Sequence, residues 1–129
     1  MVSRGNHVCM TALSPLEFAV GSAIAAQPEC HDEAALVAQL RSAHVTLREF
    51  TGFGFFTEFE VDKSLSKTEA HQSPFGRLHA EVGPDGYLMG FMVYLKDGFA
   101  EMIEGYSYGD GYGDLDLLTA DFTPPSSFV

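Results

Sequence analysis

"GRLHAEVGPDGYLMGFMVYLKDGFAEMIEGYSY", Gly76 to Tyr108, holds three apolar-rich runs separated by two turn signals. Gly83-Pro84-Asp85-Gly86 has the residues of a type I turn, with proline's fixed φ and a closing glycine. Asp97-Gly98 is a two-residue hairpin signal, since both residue types tolerate positive φ. The stretch therefore reads as an antiparallel meander of three strands. Folding it about the turns pairs Val82 with Tyr87 and Lys96 with Phe99. Strand alternation then sorts the side chains into two faces. One face holds Leu78, Ala80, Val82, Tyr87, Met89, Phe91, Val93, Leu95, Ala100, Met102, Glu104 and Tyr106. The other holds Arg77, His79, Glu81, Leu88, Gly90, Met92, Tyr94, Glu101 and Ile103. The first is the expected core side. Turn chemistry and polarity agree, and such agreement between levels is what specifies a fold.

Working outward, "VTLREF" and "FGFFTEFEV" flank Thr51-Gly52 and read as a further hairpin. A three-residue loop pairs Val45 with Phe59, Leu47 with Thr57 and Arg48 with Phe56. That register gathers Val45, Leu47, Phe55 and Phe59 on one face, and a one-residue slip would reverse the faces. Residues 62–75 are polar and aperiodic and form a long connection. Ahead of the strands, "SPLE" at 14–17 starts a helix. Ser14 caps it, Pro15 fits the first helical position, and Glu17 completes a capping box. Leu16, Val20 and Ile24 give it one apolar stripe. Gln27-Pro28 ends it. A second helix is expected from about Asp32 to Ala43, with Leu36, Val37 and Leu40 as its stripe. The expected fold is α+β: an N-terminal helical pair packed on one face of an antiparallel sheet of about five strands. It is one domain over 1–129, with the helices at about 14–43, the sheet at about 45–108 and a C-terminal tail at about 111–129.

Composition narrows the function classes. The 129 residues suit one core, and the 46% hydrophobic content suits a globular chain. A net charge of −11 with seven scattered Lys and Arg argues against binding nucleic acid or an anionic membrane surface. No apolar run reaches the roughly 20 residues of a membrane span. Arg4 and "TALSPLEFAVGSAIAAQ" imitate a signal peptide, but Pro15 and Glu17 interrupt its apolar region, so a cytoplasmic protein is expected. The two cysteines, Cys9 and Cys30, make no disulfide framework.

The motifs that carry chemistry are few. Starting at Asp110, an EF-hand reading puts Tyr112 and Leu115 where a ligand and the invariant glycine belong, so the calcium pattern fails. His7, Cys9, Cys30 and His31 lack zinc-ligand spacing. There is no nucleophile elbow, P-loop or dinucleotide fingerprint. Cys30 beside His31 makes no dyad by adjacency alone, and Arg77, His79 and Glu81 alternate as a solvated strand face would. No catalytic residue, metal or cofactor is expected. The candidate binding residues are Glu104, Tyr106, Arg48, Arg77, His79, Met92 and Tyr94. Glu104 is expected opposite Phe91, facing the core, where a carboxylate must be paired; Arg48 or Arg77 could pair it.

"REFTGFGFF" (48–56) and "GFMVYLKDGFAEMIEGYSYGD" (90–110) resemble a family of short uncharacterised bacterial proteins. That family carries an N-terminal helical pair, Arg-Glu-Phe-Thr-Gly-x-Gly-Phe-Phe and a late Leu-Glu-Gly-Tyr-Ser/Thr-Tyr-Gly-Asp. The resemblance covers roughly 14–110, with Ile103 in place of Leu. It departs after Asp110, where the family's Trp-Pro-type ending is replaced by "GYGDLDLLTADFTPPSSFV". It implies an α+β fold and no particular activity. Two functions are expected from different classes. One is a non-enzymatic interaction module, homodimeric through the second sheet face, where Leu88, Met92, Tyr94 and Ile103 form an apolar patch. The other is a small-ligand protein or enzyme built on a buried Glu104.

Overall fold

The computed structural model describes residues 12–69, 73–109 and 111–127. Helix α1 spans Pro15–Ala25 and opens on the expected capping box: the Glu17 amide donates to Ser14 Oγ, and the Ser14 amide donates to Glu17 Oε1 at 2.8 Å. A 3-10 turn over Pro28–Cys30 leads to α2, Glu33–Ser42, with Asp32 as its cap. Five strands follow: β1 His44–Phe50, β2 Gly54–Glu60, β3 Phe75–Val82, β4 Tyr87–Lys96 and β5 Phe99–Ser107. They form one antiparallel sheet in the order β1-β2-β5-β4-β3. The helices pack on one face, α1 against β3 and β4 and α2 against β5. The fold is thus the expected helical pair on a five-stranded sheet. Among the described residues, no helix is long and apolar enough to cross a membrane.

The core is the helix stripes against the inner sheet face. Leu16, Val20, Ile24, Leu36 and Leu40 meet Phe55, Leu78, Val82, Met89, Phe91, Val93 and Ile103. Gly76, at φ 88°, lets α1 approach closely, because a methyl there would collide with Ile24.

Two strand registers differ from those expected, each for the same reason. In β5, Lys96–Phe99 and Leu95–Ala100 pair as the turn dictates, but Tyr94 then pairs with Met102. Glu101 is an extra residue, a β-bulge, and it reverses the faces beyond it. Ile103 therefore turns into the core, fully buried, and Glu104 pairs with Met92 rather than Phe91. Met102, Glu104 and Tyr106 move to the outer face. In β1, Val45–Phe59 pair as expected, yet Arg48 pairs with Thr57 and Phe50 with Phe55. The bulge lies between Val45 and Leu47, so Leu47 swings outward to 47% exposure and Arg48 swings inward. The turn chemistry explains the shift. Thr51 Oγ1 accepts from the Gly54 and Phe53 amides, which closes a tip four residues long where three were expected.

The end of the chain packs against the sheet. Tyr112 is buried under the β1–β2 tip; its hydroxyl donates to the Gly54 carbonyl at 2.9 Å and its amide to Gly52. Leu117 joins the core. Residues 121–126 then run along β3, with His79 and Ser126 exchanging both backbone hydrogen bonds.

Candidate functional site

The bulge at Glu101 decides what the outer sheet face carries. Beyond it, Met102, Glu104 and Tyr106 stand on the side away from the helices. Their cross-strand neighbours complete the surface. Glu104 lies between Phe56 on β2 and Met92 on β4, and Met102 lies between Glu58 and Tyr94. Tyr106 lies between Gly54 and Gly90. Its ring covers Gly90 so closely that a methyl there would sit 2.6 Å from it. Gly90 thus makes the seat for this aromatic ring. Burial, reinforced by a hydrogen bond with the Tyr108 hydroxyl, pushes the Tyr106 phenol up to about 12. The Tyr106 and Tyr108 rings meet edge to face, 5.5 Å apart. At the centre, the Tyr94 hydroxyl donates to Glu104 Oε1 at 2.7 Å, and that bond to a carboxylate raises the Tyr94 phenol above its ordinary value.

Six of the seven expected binding residues therefore share this face. Met92, Tyr94, Glu104 and Tyr106 form its middle, half-buried by one another, and Arg77 and His79 stand on β3 at its margin. Glu104 does not face the core as expected; it is a partly exposed carboxylate held by a tyrosine. Ile103, expected in the apolar patch, lies in the core, and its place is taken by Met102 and Phe56. The described part of the long connection is hydrogen-bonded to other parts of the fold. Thr68 binds Cys30 and Gly98, Ser66 binds Gln39, and Ser73 binds Leu95.

The seventh residue, Arg48, is on the opposite side of the sheet. Its guanidinium grips the Glu17 carboxylate with two parallel bonds, Nε to Oε2 at 2.9 Å and a terminal nitrogen to Oε1 at 2.8 Å. Thr57 Oγ1 donates to Oε2, and Arg48 also donates to the Ala12 carbonyl. The pair is nearly dry, with side-chain exposures of 12% for Arg48 and 3% for Glu17. Burial alone would push the Glu17 carboxyl up. The bonds from Arg48, Thr57 and Ser14, with the charge of Arg48, outweigh burial and hold it below its ordinary value. Sequence reading found Glu17 as a cap and offered Arg48 as a partner for Glu104. The signal that could have joined them was a lone arginine between Leu47 and Phe50, facing a helix start that carries a glutamate.

The remaining candidates fall into structural roles. The Cys30 thiol is buried 3.7 Å from Thr68 Oγ1, and His31 adopts a left-handed φ of 64° after the 3-10 turn. His7, Cys9 and Asp110 lie outside the described residues. Asp116 binds the Leu118 amide and the Thr119 hydroxyl, so this aspartate shapes a turn. Among the described residues, no group of three or more His, Cys, Asp or Glu could hold a metal ion. Compared with protein-family models, curated proteins and solved structures, the chain matches none.

Proposed function

We propose that this chain is a non-enzymatic interaction module that pairs with a second copy of itself through the outer sheet face. One observation carries the reading: the central strand β4 is apolar on both faces, and the helices cover only one. A strand of that kind calls for a cover on each side. Phe56, Met92, Tyr94, Met102 and Tyr106 supply the aromatic and methionine-rich centre typical of an interface, and Arg77, Glu58 and Glu81 supply a charged rim. The rim is self-complementary. Glu58 lies on β2 and Arg77 on β3, on either side of the central β5-β4 pair. A two-fold axis running along the strands between β5 and β4 sets β3 of one copy over β2 of the other, base against acid.

Sedimentation equilibrium at high micromolar concentration tests this. A dimer is expected, and Met92→Glu, which places a charge at the centre of the face, is expected to give a folded monomer. A wild-type monomer, or a dimer indifferent to Met92→Glu, overturns the proposal. A second reading rests on the Tyr94–Glu104 hydrogen bond. It makes Glu104 the acceptor for a donor group on a small ligand, and that reading falls if Glu104→Gln leaves ligand binding unchanged.

A further inference from the structure

The sheet has two edge strands, β3 and β1. Residues 121–126 pair with β3, whereas among the described residues no segment pairs with the outward side of β1. Alternation tells which backbone groups β1 offers there. The Ser107 amide donates to the Phe53 carbonyl, and the Thr51 amide donates to the Gly54 carbonyl. Odd residues of β2 therefore bond to β5 and even residues bond to β1. Phe56 and Glu58 pair with Glu49 and Leu47, so the N–H and C=O groups of Arg48 and Phe50 point outward, past the edge. The β1 bulge interrupts the row ahead of Leu47 and leaves this stretch regular.

The side chains add apolar contact on both faces. Leu47, on the outer face, and Phe50, on the helix face, are each 47% exposed. The helices pack over β3, β4 and β5 and leave Phe50 half bare. A partner packed on either face of the sheet reaches only one of the two residues. A strand laid beside the edge reaches both, because its own side chains alternate between the faces. Past Phe50 the edge opens into a cleft of about 290 Å³, lined by Phe50, Tyr112, Leu115 and Leu117 and by Asp114 and Asp116. Glu49 and Glu58 stand on the outer face beside Leu47. Arg48 is committed to Glu17, and the lysines stand at the opposite end of β5, around Phe99. The edge thus joins apolar contact to negative charge.

We propose that β1 takes an extended segment of a partner protein, alternating basic and apolar residues, as a sixth strand. Its apolar residues lie opposite Arg48 and Phe50, bond to their backbone groups and fill the cleft on the helix face. Its basic residues lie on the outer face beside Glu49. Charge selects such a segment over a second copy of this chain: two β1 strands related by a two-fold axis at Glu49 set that carboxylate against its own copy. The site is the edge and not the outer face, so neither proposal depends on the other.

The test is a heteronuclear NMR titration of the full chain with the peptide acetyl-Val-Lys-Val-Lys-Val-Lys-Val-amide. Two controls run beside it: the same peptide with glutamate in place of lysine, and the same peptide N-methylated at its valines. The methylated peptide keeps the charge and loses the donors that face β1, which separates strand addition from the attraction of any basic peptide to an acidic chain. Saturable shifts and slower amide exchange are expected at Arg48 and Phe50, with each control weaker by about tenfold or more. Glu49→Lys changes an exposed side chain and is expected to weaken the lysine peptide by a similar factor. Met92→Glu is expected to leave the binding unchanged. The proposal is overturned if Arg48 and Phe50 do not respond, if either control binds as tightly as the lysine peptide, or if Glu49→Lys binds it as tightly as the parent.

Discussion

Glu17 does two jobs with one carboxylate. It closes the capping box of α1, and it neutralises Arg48, which the β1 bulge has turned inward. Removing one member of a dry pair leaves the other charge without compensation, which typically costs more than the pair itself contributes. Glu17→Ala is therefore expected to lower unfolding free energy by about 3–5 kcal/mol, in urea denaturation at pH 7. Replacing both residues, Glu17→Gln with Arg48→Met, is expected to cost clearly less than the sum of the single changes, because the interaction is removed whole. The pH dependence has a definite sign. The Glu17 carboxyl is held below its ordinary value of 4.5, so its contribution is complete above that value. It is lost as pH falls through the folded-state value. Wild-type stability should drop below pH 4.5 more steeply than that of the double variant; equal slopes would show that the pair carries no such linkage. The cap was legible in Ser14-Pro15-Leu16-Glu17, because capping is local chemistry. The ion pair was not, since its partner lies 31 residues away and depends on a bulge.

At the scale of the element, turns and periods were readable and bulges were not. Gly-Pro-Asp-Gly and Asp-Gly set strand ends correctly because each encodes its own backbone geometry. Alternation then carries the face assignment along a strand only while no residue is inserted. One extra residue at Glu101 was enough to exchange Glu104 for Ile103 in the core. A trace of it is visible in Met102-Ile103, two adjacent apolar residues where strict alternation would have placed a polar one. The bulge is tested by removing it. A chain lacking Glu101 restores the plain alternation and drives Glu104 inward against Phe91. That burial of an unpaired carboxylate is expected to destabilise by about 3 kcal/mol or more. Changing Glu104 to Val in the deleted chain should recover much of the loss, while the same change in the parent should recover nothing. A deletion as stable as the parent would show that the bulge does not set the faces.

At the scale of the whole molecule, the question is how the sheet handles its two edges. An unpaired strand edge presents a row of backbone donors and acceptors to any other chain. β1 is one edge, and its bulge interrupts that row. β3 is the other, and the tail covers it. The amides of His79, Glu81 and Gly83 donate to Ser126, to the Thr123 hydroxyl and to Asp121. Pro124 and Pro125 stand between these contacts, so the tail pairs with β3 while offering no continuous strand of its own to a further neighbour. The segment that looked like a polar tail in the sequence is thus an edge cover, a role set by where the sheet order leaves β3. A chain ended after Ala120 should therefore keep the five strands and lose the cover. The amides of His79, Glu81 and Gly83 are expected to exchange with solvent at least about tenfold faster, since each loses the acceptor it donates to. The shortened chain is also expected to associate with rising concentration through the bared edge. That association should persist in Met92→Glu, because it uses strand edges and not the outer face. Unchanged exchange at all three amides would show that residues 121–126 do not protect β3.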